Sequence, residues 1–138
     1  MDMYAETILE HYKHPHNHGQ MPKASVEHRE SNPLCGDVIT IYLLIENDRV
    51  KDVKFVGKGC AISQAATSLL TDEIKGKSLD EIKNLDKQFA LELLGVEISA
   101  ARMKCALLGI KALKLTVYDY LTRQDKTLKE KEFEVEDA

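Results

Sequence analysis

Two apolar, β-branched runs separated by a short polar turn constrain the fold of this chain more than any other feature. The runs are Val38–Ile45 and Val50–Val56, and the turn between them is Glu46–Arg49. Strand-length apolar runs joined by such a turn predict an antiparallel hairpin. Residues 23–30 alternate more weakly between polar and apolar side chains, and we interpret them as an edge strand. The sequence therefore predicts a small three-stranded antiparallel sheet.

Helical periodicity dominates the rest of the chain. Apolar residues recur at helical spacing, and Ser78 opens a capping-box pattern that marks a helix start. The predicted helices cover residues 3–13, 61–74, a short segment after Ser78, a second short segment ending at Gly95, and residues 102–121. A small early sheet followed by several helices predicts an α+β domain in which the helices pack against the sheet.

Length and composition predict one domain over residues 1–122, with a charged, solvated and mobile tail at 123–138. The net charge of −4 argues against nucleic acid as the main partner. The longest apolar run is too short to cross a bilayer, so we expect no membrane association. The start of the chain does not resemble a secretory signal, and the three cysteines are widely spaced. We therefore expect a cytoplasmic protein with reduced thiols.

Three cysteines and one aspartate are the main chemistry-bearing residues. Cys35 lies in a Pro/Gly turn, with Gly36 separating it from Asp37, while Cys60 and Cys105 each lie beside a predicted helix start. The alternative is that each cysteine is a small buried hydrophobe, which is common for free cysteines. A Pro/Gly turn is, however, a poor place for a core residue, and loops on a rigid scaffold often carry reactive groups.

The surroundings of Cys105 also favour a reactive thiolate. Arg102 and Lys104 precede it in the first turn of the last predicted helix. Helix N-termini and nearby cations stabilise thiolates, which are both nucleophiles and soft metal ligands. Three thiolates and one carboxylate suit a four-coordinate zinc site or an iron–sulfur cluster. Spacing alone does not choose between them, because the chain contains no Cys-x-x-Cys pair.

Three segments around the cysteines resemble the cysteine motifs of the U-type iron–sulfur scaffold family, which comprises IscU, SufU and the NifU N-terminal domain. These segments are Asn32–Asp37, Gly57–Ser63 and Ala101–Leu108. The similarity extends to Tyr4–Tyr12, Pro15–Gly19 and Lys75–Ser78, and it covers roughly residues 4–121. The three motifs occur in the order found in the family, which makes the resemblance specific.

The resemblance implies an α+β sandwich in which the three cysteines meet at one exposed end. It implies a scaffold or carrier protein and not an enzyme that turns over a small substrate. Such proteins accept persulfide sulfur from a cysteine desulfurase, build a transient [2Fe–2S] cluster with iron and electrons, and pass it to apo-proteins. The implied ligands of the cluster, of iron alone or of Zn²⁺ are Cys35, Asp37, Cys60 and Cys105. The resemblance leaves open whether two chains form a homodimer that shares one cluster.

The chain also departs from both branches of this family. Lys104 stands where IscU proteins have a histidine, and Ile98–Arg102 replaces their chaperone-binding Leu-Pro-Pro-Val-Lys segment. Both changes resemble SufU, but the insertion that SufU proteins carry between the second and third cysteines is missing. A SufU-like zinc-dependent sulfurtransferase or desulfurase activator is therefore the alternative. A zinc hydrolase or deaminase is a remote one, because the Cys-x-x-Cys pair of the zinc deaminases is absent from the sequence.

Specific roles follow for individual residues. Cys105 is the first candidate for the persulfide acceptor in a cluster-building scaffold, and Cys35 is the candidate in a SufU-like mode. Lys104 and Arg102 are expected to tune the site, and Gly36 to let Cys35 and Asp37 point toward one metal.

Four histidines crowd the end of the first predicted helix and the turn after it: His11, His14, His16 and His18. One hypothesis is a second metal site, since imidazole binds Zn, Cu and Ni. The favoured interpretation is an exposed, polar helix terminus, where histidine complements the helix dipole.

Overall fold

The computed structural model describes residues 3–34 and 36–124 of the chain. Its elements in chain order are α1 (Met3–Lys13), β1 (Val26–Asn32), β2 (Asp37–Glu46), β3 (Arg49–Lys58), α2 (Ala61–Ile74), α3 (Leu79–Lys83), α4 (Lys87–Leu94), a short 3-10 turn (Ala100–Arg102) and α5 (Met103–Gln124). Cys35 and residues 125–138 lie outside the described part. The predicted α+β class is confirmed.

As predicted, the three strands form one antiparallel sheet, and their order in it is β1-β2-β3. β2 is central, and its first residue, Asp37, pairs with the last residue of β1, Asn32. The β2–β3 connection turns at Asn47 and Asp48, whose φ angles are +53° and +58°. Two consecutive positive φ angles match the right-handed twist of the strands, and Asn and Asp tolerate them better than most residues.

One face of the sheet forms the core of the protein. α5 packs on β1 and β2, α2 packs on β3, and α1 packs on α2. The buried strand residues on this face include Ile39, Ile41, Leu43, Val53 and Phe55, all at most 1% exposed. The α5 residues Leu107, Ile110, Leu113 and Val117 are also buried, so the apolar side of this helix belongs to the core.

Helix boundaries follow the local signals in the sequence. The Ser78 hydroxyl accepts a hydrogen bond from the Glu81 N–H, and the Glu81 carboxylate accepts one from the Ser78 N–H, which completes the predicted capping box. α4 ends at Gly95, whose φ of +69° is the left-handed conformation typical of helix C-termini. No helix among residues 3–34 and 36–124 has the length and apolar content needed to cross a bilayer.

Two predicted boundaries differ from the structure. β1 covers residues 26–32 and not 23–30, because residues 21–24 form a turn in which the Ala24 N–H donates to the Met21 carbonyl at 3.1 Å. α5 continues to Gln124, whereas the predicted helix ends at residue 121. The tail prediction concerns mostly residues 125–138, which are outside the described part, and it stays a prediction.

Candidate metal centre

The turn between β1 and β2 is held by Asn32. Its carbonyl accepts the Gly36 N–H at 2.9 Å, and its Oδ1 accepts the Leu34 N–H at 3.2 Å. Gly36 has φ +72°, a conformation that glycine adopts without strain. Cys35 lies in this turn but outside the described residues, so its predicted role as ligand and acceptor stays a prediction.

Asp37 begins β2 and is fully buried. Its Oδ1 accepts the Cys60 backbone N–H at 2.9 Å, and its Oδ2 accepts the Cys60 thiol at 3.5 Å. A buried carboxylate requires such compensation, because leaving water without hydrogen bonds would cost it several kcal/mol. The first predicted motif is therefore tied directly to the second, across the end of the sheet.

Gly59 makes this close approach feasible. Its φ is +140°, and a Cβ built on it would lie only 2.6 Å from the Asp37 Cγ and 2.9 Å from the Asp37 Cα. Any other residue here would push the carboxylate away from Cys60. The Gly-x-Gly segment before Cys60 is thus part of the site and not only the end of β3.

The two thiols within the described residues, those of Cys60 and Cys105, each lie at the start of a helix. Cys60 is the N-cap residue of α2 and is half-buried, and Cys105 is the third residue of α5 and is 1% exposed. The positive end of a helix dipole favours negative charge at such positions. Neither cysteine forms a disulfide.

The starts of β2, α2 and α5 bring one ligand atom each from Asp37, Cys60 and Cys105 within 4.8 Å of one another. A tetrahedral zinc ion with Zn–S of about 2.3 Å and Zn–O of about 2.0–2.2 Å keeps its ligand atoms roughly 3.5–3.8 Å apart. The 3.5 Å between Asp37 Oδ2 and the Cys60 sulfur already matches this spacing, so the group can close around a cation with small side-chain shifts. Two sulfurs and one oxygen suit zinc or iron with sulfide.

The sequence profile described as "NifU-like N terminal domain" matches residues 3–127. The chain belongs to this family. A relative from Archaeoglobus fulgidus, the iron–sulfur cluster assembly scaffold protein IscU 1, is 33% identical and the alignment covers 97% of this chain and 87% of the relative. The zinc-dependent sulfurtransferase SufU from Bacillus subtilis is 36% identical over 81% of this chain and 87% of its own length.

Solved structures of NifU-like proteins have the same fold. A SufU scaffold candidate from Fervidobacterium islandicum superposes with a TM-score of 0.70 at 32% identity, and the match covers 81% of this chain and 94% of that one. The N-terminal part of a NifU-like protein from Brucella abortus gives a TM-score of 0.74 at 21% identity, covering 89% and 96% of the two chains. The second likeness concerns the fold alone.

Arg102 and Lys104, predicted to tune this NifU-like site, are both exposed. Lys104 lines a cleft of about 230 Å³, in which residues 31–34 form one wall and α5 forms the other with Leu107, Leu108 and Lys111. Leu34, at the rim of this cleft, is 85% exposed, an unusual exposure for a large apolar side chain. The cleft adjoins the turn that contains Cys35.

The histidine segment was only partly predicted. His11 is 8% exposed and its Nδ1 is hydrogen-bonded to the Ser68 hydroxyl at 2.7 Å, so the expectation of an exposed histidine is wrong at this position. Burial, reinforced by the nearby His16, lowers the pKa of His11. The physical reason for the miss is that Ser68 is distant in sequence and belongs to α2.

The other three histidines of this segment, His14, His16 and His18, are exposed, as predicted. His14 contributes its backbone N–H to the last turn of α1, and the His18 ring packs edge-on against Phe55 at 5.6 Å between ring centres. Asp72 of α2 also lies in this region. It follows His16 by 56 residues, and no pattern near it in the chain marks it as a ligand.

Proposed function

We propose that this protein is a scaffold for iron–sulfur cluster assembly. It accepts sulfur from a cysteine desulfurase, holds a [2Fe–2S] cluster with Cys35, Asp37, Cys60 and Cys105, and passes the cluster to apo-proteins. The observation that carries the proposal is the convergence of Asp37, Cys60 and Cys105 at one end of a NifU-like domain. The scaffold name of the Archaeoglobus relative supports it.

The ligand set suits a cluster that is bound only transiently and is then passed on. Thiolates bind iron firmly, whereas a carboxylate is a hard oxygen ligand and is easier to displace from a soft site. When Asp37 releases the metal, the Cys60 N–H remains as its hydrogen-bond donor. We therefore assign Asp37 the role of the labile ligand that facilitates release.

A zinc-dependent sulfur carrier is the second candidate, and the name of the Bacillus relative supports it. Here Zn²⁺ would occupy the same ligands, and Cys35 would receive the persulfide sulfur. In the scaffold mode we assign that step to Cys105, whose thiol is 1% exposed. Transfer to Cys105 therefore requires the first turn of α5 to open.

Anaerobic reconstitution separates the two candidates. The protein is incubated with iron, cysteine, a desulfurase and a thiol reductant such as dithiothreitol, which reduces persulfide sulfur to sulfide. Its visible spectrum and metal content are then recorded. A scaffold acquires a [2Fe–2S] spectrum, with iron replacing any zinc. Stoichiometric zinc that iron and sulfide cannot displace would contradict the scaffold proposal. Mass spectrometry of the persulfidated protein, with Cys35→Ser and Cys105→Ser as variants, identifies the acceptor.

Asp37 variants test the labile ligand. Asp37→Ala and the shape-conserving Asp37→Asn are expected to slow cluster transfer to an apo-ferredoxin, because the displaceable ligand is lost. Asp119→Ala is the matched control, since this half-exposed carboxylate, which faces His28, lies far along α5 from Cys105. Transfer at the unaltered rate in both Asp37 variants would contradict the assignment. Sedimentation of the reconstituted protein shows whether a homodimer shares the cluster.

A further inference from the structure

A second group of metal-ligating side chains lies away from the thiol site, where the end of α1 and the turn after it meet α2. Ligand atoms of His11, His16 and Asp72 all lie within 4.8 Å of one another. We propose that these three residues form a second metal site, for a divalent first-row cation such as Zn²⁺. Two imidazoles and one carboxylate are a ligand set that such cations prefer, and they leave coordination positions open to water.

The two sites cannot share one ion. Asp72 lies near the end of α2, whereas Cys60 caps the beginning of that helix. At 1.5 Å per residue the two residues are separated by roughly 18 Å along the helix axis. The second site therefore lies outside the cluster-assembly site, and its metal binding can be tested independently of the thiols.

The three groups are already close enough to bind one cation. His16 Nδ1 lies 2.6 Å from Asp72 Oδ2, and the ring centres of His11 and His16 are 4.3 Å apart. With metal–nitrogen distances of about 2.0–2.1 Å, ligand atoms around a tetrahedral zinc ion are roughly 3.4 Å apart. The observed group therefore needs side-chain shifts on the order of 1 Å, which the two exposed members, His16 and Asp72, can make.

A surrounding set of hydrogen bonds holds the three ligands in place. The Ser68 hydroxyl is bonded to His11 Nδ1 at 2.7 Å and accepts the His16 backbone N–H at 2.8 Å. Asn17 Nδ2 donates to Asp72 Oδ1 at 3.0 Å. Metal-binding histidines and carboxylates are commonly oriented by such outer partners, which fix the ring and the ligand atom. This arrangement distinguishes the group from exposed histidines that meet by chance.

Sequence neighbours supply the matched controls. His14 and Glu73 are exposed, lie next to the proposed ligands in the chain, and are outside the group. His14→Gln removes one imidazole and Glu73→Gln removes one carboxylate charge, as His16→Gln and Asp72→Asn do within the group. Because His16 and Asp72 are themselves exposed, their substitution should leave the fold intact, which the amide NMR spectrum verifies.

The test is a titration of the full chain with Zn²⁺ alone, monitored by the imidazole NMR signals. This readout reports the histidine site whether or not the thiols also take zinc. We expect the His11 and His16 signals to shift together, with affinity at least about tenfold weaker in His16→Gln and Asp72→Asn. The affinity of His14→Gln and Glu73→Gln should equal that of the unaltered protein.

Two results would overturn the proposal. One is an absence of coupled shifts of His11 and His16 at zinc concentrations that saturate the thiols. The other is an equal loss of affinity in His14→Gln, which would indicate diffuse binding to the histidine-rich segment.

Discussion

Gly59 controls the distance between Asp37 and Cys60, and this makes it the most sensitive single position of the site outside the ligands. A methyl group at residue 59 would overlap the Asp37 carboxylate, which is fully buried and has no room to retreat. The clash adds to the backbone strain of a positive φ. We predict that Gly59→Ala lowers the free energy of unfolding by about 1–3 kcal/mol from strain and a further 1–3 kcal/mol from overpacking.

Gly76→Ala is the control for this prediction. Gly76 also has a positive φ, +85°, but a Cβ there would meet nothing within 4 Å. It should show the strain component alone and bind zinc or the cluster like the unaltered protein, whereas Gly59→Ala should bind either one more weakly. Urea denaturation and metal titration measure the two effects. Equal behaviour of the two variants would mean that the Gly59–Asp37 contact does not shape the site.

The sequence showed which residues carry the chemistry of the site, but it did not show which of them contact one another. The residue types around Asp37, Cys60 and Cys105 indicated a metal or cluster site, and the family resemblance supplied the grouping. Periodicity could not reveal that Asp37 bonds the Cys60 backbone or that Gly59 is required for it, because both depend on how β2 meets the loop before α2. The burial of His11 was also not predicted, because it depends on how α1 packs against α2.

The capping box at the start of α3 should contribute measurably to the stability of the protein. Ser78→Ala removes the hydroxyl that accepts the Glu81 N–H, and such losses typically cost about 1 kcal/mol. Ser99→Ala is the control, since Ser99 precedes the 3-10 turn without a side-chain capping bond. Thermal unfolding should show a lower Tm for Ser78→Ala only. An equal effect at Ser99 would refute the capping interpretation.

The other half of the capping box adds a pH dependence. The hydrogen bond from the Ser78 N–H lowers the pKa of Glu81 below its ordinary value of 4.5. A carboxylate whose folded-state pKa is depressed stabilises the fold above its unfolded-state pKa, and this contribution is lost as pH falls through the folded-state pKa. Glu81→Gln should therefore be less stable than the unaltered protein at neutral pH, and the difference should disappear in acid.

Elements marked by local chemistry were predicted accurately. The strands β2 and β3, the α3 cap and the end of α4 at Gly95 all have signals within a few residues of their boundaries. The start of β1 had none, because its pairing with β2 begins only after the turn at residues 21–24. Its boundary therefore depended on a tertiary hydrogen bond from the Ser25 N–H to the Leu43 carbonyl.

We propose that a sulfur donor docks at the cleft beside the turn that carries Cys35. The cleft between residues 31–34 and α5 adjoins the turn that carries Cys35, and it combines the exposed Leu34 with the cation Lys104. We predict that a desulfurase delivering sulfur to this end of the molecule covers Leu34. Burying a leucine side chain contributes about 1.5–3 kcal/mol, so Leu34 is an efficient anchor for such a partner.

We therefore predict that Leu34→Ser weakens desulfurase binding by about tenfold, which corresponds to roughly 1.4 kcal/mol. Sulfur transfer from the desulfurase should have a higher KM, while cluster assembly from free sulfide should be unchanged because the ligands are intact. Leu9→Ser is the matched control, since Leu9 is an exposed leucine on α1. If Leu34→Ser slowed assembly from free sulfide just as much, Leu34 would support the ligand turn itself and not a docking surface.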